Sequence, residues 1–367
     1  MLKKVLIIFV TIFSCIASGA KVPLGITVND HRVTKTELSN KKFNKVYKLQ
    51  LIQANLAEKA QLAVLTQPSI HFLSANNYQK LHVINAKPFK DKKGYFSLSP
   101  ELVDIDNDGK YEIMKGGGGY GQTALLDSEG YPLWEYKPGI TKPSKMISTD
   151  LNNDKEVEFY AINKSSLVRL DKNGQVVWEV LAPRYFILRS DFKDIEVFQN
   201  SKTQQSELLV VSNDTFYHYN YEGKLLHQFE AKLPVSNFQI INWNQQQFIL
   251  AGYYDTKIAL LNFDGAVHQY IDLGESVHYH EAQAINVTFS QEAAEYLVVL
   301  THSSSSKGLS KLSIISPENT VIYQEVIKAT KGLISLPQTK GNDEVLVITN
   351  NDRRLVAYSF NEGVNSK

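Results

Sequence analysis

The chain has 367 residues, 39 Lys+Arg against 38 Asp+Glu, a formal net charge of +1 and a single Cys. Apolar types make up 43% and charged types 21%, which excludes a disordered or collagen-like chain. The charge balance excludes a generic nucleic-acid binder, which needs a basic excess or stripe.

The first element is an address. Two lysines lie within Met1 to Lys4, an apolar run covers Val5 to Phe13, and Ser18-Gly19-Ala20 offers small residues for cleavage. This is the build of a secretory signal peptide over residues 1–20, and it predicts a secreted or periplasmic protein. Lipid anchoring through Cys15 is the competing reading, although Phe13 is bulky for a lipobox. The mature chain of residues 21–367 has no cysteine, so export would bring no disulfides. No later apolar run reaches the ~18 residues of a membrane helix.

A repeat organises the rest. Leu125-Leu126-Asp127-Ser128-Glu129-Gly130-Tyr131-Pro132-Leu133-Trp134 is echoed by Arg169-Leu170-Asp171-Lys172-Asn173-Gly174-Gln175-Val176-Val177-Trp178. Weaker copies begin at Leu73, Tyr219, Leu261, Ile315 and Ser359. The fourth turn residue is Asn77, Gly130, Gly174, Gly223, Gly265, Asn319 or Gly363, at intervals of 42 to 54 residues. Gly and Asn take a positive φ most easily. The first turn residue, Ser74, Asp127, Asp171, Asn220, Asn262 or Ser316, can bond the backbone two residues on. Each copy therefore predicts a hairpin whose turn closes on a left-handed residue. The flanks, such as Leu208–Val211 and Tyr296–Leu300, read as strands, and Asn55–Ala63 is the one short stretch with a helical character.

A unit of this length holding about four short strands has the size of a propeller blade. The expectation is all-β: a single seven-bladed β-propeller of four-stranded blades, with six or eight blades as the alternatives. The last copy stops at Gly363, before an outer strand. Leu24–Thr34 is predicted to supply that strand and close the ring.

Gly130 with Trp134, and Gly174 with Trp178, resemble the turn-and-tryptophan pattern of quinoprotein-like (PQQ-type) propellers. That resemblance implies indoles packed between blades, and no quinone cofactor. His227 and Tyr323 stand in the corresponding place later in the chain.

Two acidic loops are the sharpest chemical signal. Asp104, Asp106, Asp108 and Glu112 occupy positions 1, 3, 5 and 9 of one loop, with Gly109 at position 6. Alternating carboxylates in a tight turn converge on a hard cation, so Ca²⁺ is expected as a structural ion. Asp150, Asn152, Asp154 and Glu158 repeat the spacing 46 residues on, with Lys155 in place of the glycine and one carboxylate fewer. Weaker binding is expected there. The pattern resembles the calcium loops of FG-GAP (VCBS, integrin-α-like) propeller repeats, where the loop joins the first two strands of a blade. The motifs carrying both resemblances lie within residues 104–178.

Gly116 to Gly121 is glycine-rich but precedes a strand-like segment and lacks a Walker pair, so it reads as a connection. His278, Tyr279 and His280, with Arg184, are the weak candidates for catalysis. A polysaccharide lyase would need a His or Tyr base and an Arg to neutralise a carboxylate. The leading expectation is a non-enzymatic exported module that binds a protein or glycan ligand. An exported propeller enzyme of the lyase type is the alternative. Fold alone does not choose between them.

Overall fold

The computed structural model describes residues 33–38, 42–43, 46–52, 60–66, 69–85, 87, 100–115, 123–136, 143–163, 165–185, 188–189, 191–200, 203–252, 257–272, 279–288, 295–303, 309–328, 332–337, 344–349 and 353–360. Within them the regular elements are all strands, paired antiparallel with their neighbours in sequence. The first blade runs through Val46–Ile52, Gln61–Thr66, Ser69–Ser74 and Lys80–Asn85. The second holds Glu101–Val103, Glu112–Lys115, Thr123–Leu126 and Pro132–Tyr136. The third holds Lys145–Thr149, Glu158–Ile162, Ser166–Leu170 and Val176–Leu181. A short hairpin, Arg184–Tyr185 with Leu188–Arg189, follows. The fourth blade is Asp194–Gln199, Ser206–Ser212, Thr215–Tyr219 and Leu225–Glu230, and the fifth is Asn237–Trp243, Gln246–Gly252, Lys257–Leu261 and Val267–Asp272. The sixth is Tyr279–Thr288, Glu295–Ser303, Leu309–Ile315 and Val321–Lys328.

Two expectations are corrected here. The expected count is seven blades, the last closed by an N-terminal strand; six blades of four strands each are made from consecutive strands. The remaining sheet is composite, because Leu333–Pro337, Glu344–Thr349 and Leu355–Phe360 provide three strands and Val33–Glu37 adds the fourth. The closing strand is also displaced. It pairs Val33 with Phe360 through to Glu37 with Val356, so it overlaps the predicted Leu24–Thr34 only at its end. Residues 24–32 lie outside the described residues, as do the signal segment and Cys15. The helical reading of Asn55–Ala63 also fails where it can be checked, since Gln61–Thr66 is strand.

The sheets stand in a ring. The first strand of the first blade lies beside that of the second. The first strand of the third blade lies beside that of the fourth, and the order continues through the fifth, the sixth and the composite sheet back to the first blade. Hydrophobic clusters fill the spaces between neighbouring sheets. The second and third strands of each blade carry this core, because both of their faces are covered: Leu208 to Val211 and Leu297 to Leu300 are fully buried. Each such side chain contributes roughly 1.5–3 kcal/mol. Carboxamides on the inner strands stitch sheets together. Gln50 brackets the backbone of Leu102 in the next blade, at 2.7 and 3.0 Å, and Gln239 does the same for Ala284.

The composite sheet is latched by a carboxylate. Glu325 accepts hydrogen bonds from Lys35 (2.5 Å), Tyr358 (2.7 Å) and Tyr323 (2.9 Å), and Arg354 bonds Glu37 at 2.9 Å. Burial pushes the Glu325 carboxyl up, but those three donors outweigh it and hold it below its ordinary range.

The recurrent hairpins have the expected geometry in five copies. Gly130, Gly174, Gly223, Gly265 and Asn319 take φ between 66° and 92°. Each donates its N–H to the carbonyl three residues earlier, and each hairpin has a bulge at the strand end. The first copy departs. There the left-handed residue is Tyr78 (φ 57°), not Asn77, because the turn is one residue longer and Tyr78 N–H reaches the carbonyl of Ser74. Gly363 lies outside the described residues.

Candidate functional site

The turn glycines and the tryptophans form one device. A Cβ on Gly174 would lie 2.6 Å from the indole of Trp134 in the preceding blade, and a Cβ on Gly223 would lie 2.9 Å from that of Trp178. The indole N–H groups donate to the carbonyls of Lys172 and Tyr221, at 2.8 and 2.9 Å. Each tryptophan is therefore a wedge that seats on the next blade's turn. Glycine is required there both by its φ and by the ring lying over it.

Both acidic loops connect the first two strands of a blade, as their resemblance implied. The first loop gathers Asp104, Asp106 and Asp108, whose carboxylate oxygens lie within 4.8 Å of one another. Asn107 (φ 58°) and Gly109 (φ 83°) turn the chain beneath them. The N–H groups of Asp108 and Gly109 donate to Asp104, and that of Lys110 donates to Asp108 at 2.7 Å. Glu112 starts the second strand, buried, and accepts the N–H of Ile105 at 3.1 Å. Burial, the largest influence, lifts its pKa. This all-oxygen set fits a hard cation.

The second loop copies that backbone. Asn153 (φ 61°) and Lys155 (φ 74°) stand where Asn107 and Gly109 do. Asp154 and Lys155 donate to Asp150, Glu156 donates to Asp154, and Leu151 donates to Glu158. The chemistry differs. The Asn152 amide already donates to Asp154 at 2.7 Å, and Arg169 pairs with Glu158 at 3.3 Å. The Arg169 guanidinium lies 3.7 Å from the ring centre of Tyr221 and bonds its hydroxyl. Burial lifts Glu158 while Arg169 opposes the lift. This set has one carboxylate fewer and commits Glu158 to Arg169, which makes it a weaker cation site than the first.

A third member of the series escaped sequence reasoning. Glu112, Glu158 and Glu207 occupy one repeat position, at the start of the second strand of the second, third and fourth blades. Diagonally across on the third strand, two residues off the paired register, stand Leu125, Arg169 and His218 in turn. Glu207 is 4% exposed; it accepts the Asn200 amide at 2.7 Å and meets His218 Nδ1 at 3.3 Å. The signal was available, because Glu207 follows Glu158 by 49 residues as Glu158 follows Glu112 by 46. The surrounding residues lack the alternating acids that drew attention to the first two.

The predicted His/Tyr/Arg set is spread over the ring. Arg184 sits in the short hairpin between the third and fourth blades, whereas Tyr279 and His280 open the inner strand of the sixth. His278 and Gly116 to Gly121 lie outside the described residues. His302 is buried on the second strand of the sixth blade, 2.8 Å from the Ser310 hydroxyl. No helix among the described residues is long and apolar enough to cross a membrane.

No protein-family model and no curated protein sequence matches the chain. Solved structures do match in fold. The chain is similar to BBS1N, in a crystal structure titled as its complex with ARL6DN, with 11% identity and a TM-score of 0.59 over 91% of this chain and 97% of that one. It is similar to the Pan2 WD40 domain of Neurospora crassa at 11% identity, with a TM-score of 0.54 over 92% of this chain and 100% of that one. It is also similar to BamB from Moraxella catarrhalis at 12% identity, with a TM-score of 0.51 over 93% of this chain and 96% of that one. At such identities the likeness establishes a β-propeller and nothing finer.

Proposed function

We propose that this protein is an exported, calcium-stabilised β-propeller that works as a non-enzymatic interaction module and takes a protein partner on its outer rim. The observation that carries the reading is the chemistry of the outermost strands. Leu133, Val176, Val177, Leu181, Leu225 and Leu226 belong to three consecutive blades, and each exposes 43–53% of its surface. The strands that carry them have a sheet neighbour on one side only, so their outer backbone groups face away from the sheet. An apolar row beside an unpaired strand edge is the surface a partner chain recognises. BBS1N, a propeller of the same fold, was crystallised in a complex with another protein, which fits a scaffold that presents surfaces. The first acidic loop would hold Ca²⁺ through Asp104, Asp106 and Asp108, bracing the second blade. The apolar leader and the alternating acids support export and ion binding, respectively.

The test is photo-crosslinking in the native host from residue 177 of the full chain. A discrete adduct is expected there, and it should be lost in a Val177→Lys/Leu181→Lys variant whose melting temperature is unchanged. Absence of any adduct, or an adduct indifferent to the two lysines, overturns the rim reading.

A further inference from the structure

The indole wedge closes two of the gaps between blades, and where the fourth blade lacks it a lined cleft stands. Trp134 and Trp178 fill the wedge position in the second and third blades. In the fourth blade that position is His227, which is exposed. The turn at Gly265 packs instead against Phe229 and the carbonyl of Glu230. The gap between the second and third blades, walled by Trp134, measures about 670 Å³. The gap between the fourth and fifth measures about 1480 Å³.

The larger cleft has a built interior. His218 lines it, 6% exposed, with Nδ1 held by Glu207 and Nε2 without a hydrogen-bond partner. Glu207 is in turn held by the Asn200 amide. A carboxylate only accepts, so Nδ1 carries the proton and Nε2 keeps an unused lone pair beneath the cleft wall, which a ligand reaches only as the surrounding rings shift. Burial, the first influence, holds the imidazole below its ordinary pKa and keeps it neutral. Phe198 and Phe263, with ring centres 5.0 Å apart, form an apolar wall. Carboxamides from both blades, Asn200 and Gln247 among them, join that wall, and among the described residues the lining carries two carboxylates, Glu207 and Asp264, and no lysine or arginine.

We propose that this cleft is a binding site for a neutral saccharide. Carboxamides and an oriented imidazole match hydroxyl groups that donate and accept at once, and aromatic rings match the C–H faces of a sugar. The carboxylates Glu207 and Asp264 in the lining repel anionic ligands such as phosphates and uronates, which need charge-assisted partners. His218 is the buried acceptor that fixes orientation, and Glu207 is the positioning residue behind it. The cleft shares Leu226 with the rim surface described above, but the rim is tested at residues 177 and 181 in the third blade and the cleft at residues 218 and 227 in the fourth, so the two readings fail separately.

The experiment is isothermal titration calorimetry of the full chain with neutral hexaoses of glucose, mannose and galactose, and with an oligogalacturonate as the anionic control. Saturable binding of at least one neutral hexaose is expected, with a shift of the His218 imidazole resonances on titration. His227→Trp restores the wedge and should weaken binding at least tenfold with an equal or higher melting temperature. His218→Phe keeps the ring and removes the acceptor, and should weaken it at least fivefold. The proposal is overturned if no neutral hexaose binds, if both variants bind like the parent, or if the oligogalacturonate binds as tightly.

Discussion

The loops at 104–112 and 150–158 are the same backbone written with different chemistry. Both place left-handed residues at the fourth and sixth positions, and both fold their N–H groups onto the first acid. One leaves three carboxylates facing each other. The other satisfies its acids internally, with the Asn152 amide on Asp154 and Arg169 on Glu158. The hydrogen-bonded scaffold of such a loop therefore does not require an ion. Under the proposed calcium reading an ion would answer charge left uncompensated: the first loop has only the largely exposed Lys110 on Asp108 at 3.3 Å, whereas the second has a largely buried arginine on Glu158.

The sharpest way to break this comparison is to remove the buried glutamates. Glu158→Ala strands the charge of Arg169, whose side chain is only 12% exposed, so a loss of roughly 3–5 kcal/mol is expected in urea unfolding. Glu112→Ala leaves Ile105 N–H without its acceptor and should cost about 1–3 kcal/mol. Adding Arg169→Leu to Glu158→Ala, which copies Leu125, should recover much of the larger loss. Equal losses for the two single variants would mean that Arg169 is not what separates the loops.

Next in size is the response to calcium. At a free ion concentration 100 times the dissociation constant, the parent should gain about 2.7 kcal/mol over the chelated protein. Asp104→Ala should abolish the gain in a thermal melt, and Asp150→Ala should leave it intact. A melt indifferent to calcium in the parent removes the ion from the first loop. A gain lost equally in both variants removes the distinction between them.

The smallest effect concerns Lys155. A left-handed non-glycine residue costs roughly 1–2 kcal/mol, and glycine returns about 0.5–1 kcal/mol of that as unfolded-state entropy. Lys155→Gly should therefore stabilise by less than about 1 kcal/mol. Combined with Asn152→Asp it should confer some calcium response on the second loop, measured by the same melt. A destabilised Lys155→Gly would show that the lysine head group contributes more than its backbone costs.

Much of this was legible in the residues. The turns could be read because a positive φ leaves a mark in composition at Gly130, Gly174, Gly223 and Gly265, a reason local to four residues, to which the overlying indoles add a second at Gly174 and Gly223. Trp134 and Trp178 could be read because nothing else in the repeat fills an inter-blade gap so fully. Asn77 misled, because a turn one residue longer moves the left-handed position to Tyr78, and single-residue register is not encoded in composition. Glu207 and His218 went unread because a lone buried acid between apolar residues has no motif. The partner that gives it meaning, His218, is set by strand register.

Sequence by itself determined the repeat, the all-β character, the acidic loops and the tryptophan wedges, since each depends on contacts spanning a few residues or on one repeat meeting its copy. Only the tertiary structure decided that six blades are made from consecutive strands and that the strand closing the remaining sheet is Val33–Glu37 and not Leu24–Thr34. It alone decided which glutamate meets Arg169 and which His218, and where a missing wedge leaves a cleft. The physical reason is range. A turn or a loop is stabilised by its own backbone, whereas sheet closure and the neutralisation of buried charge are settled only when residues hundreds of positions apart, such as Lys35 and Glu325, compete for the same place.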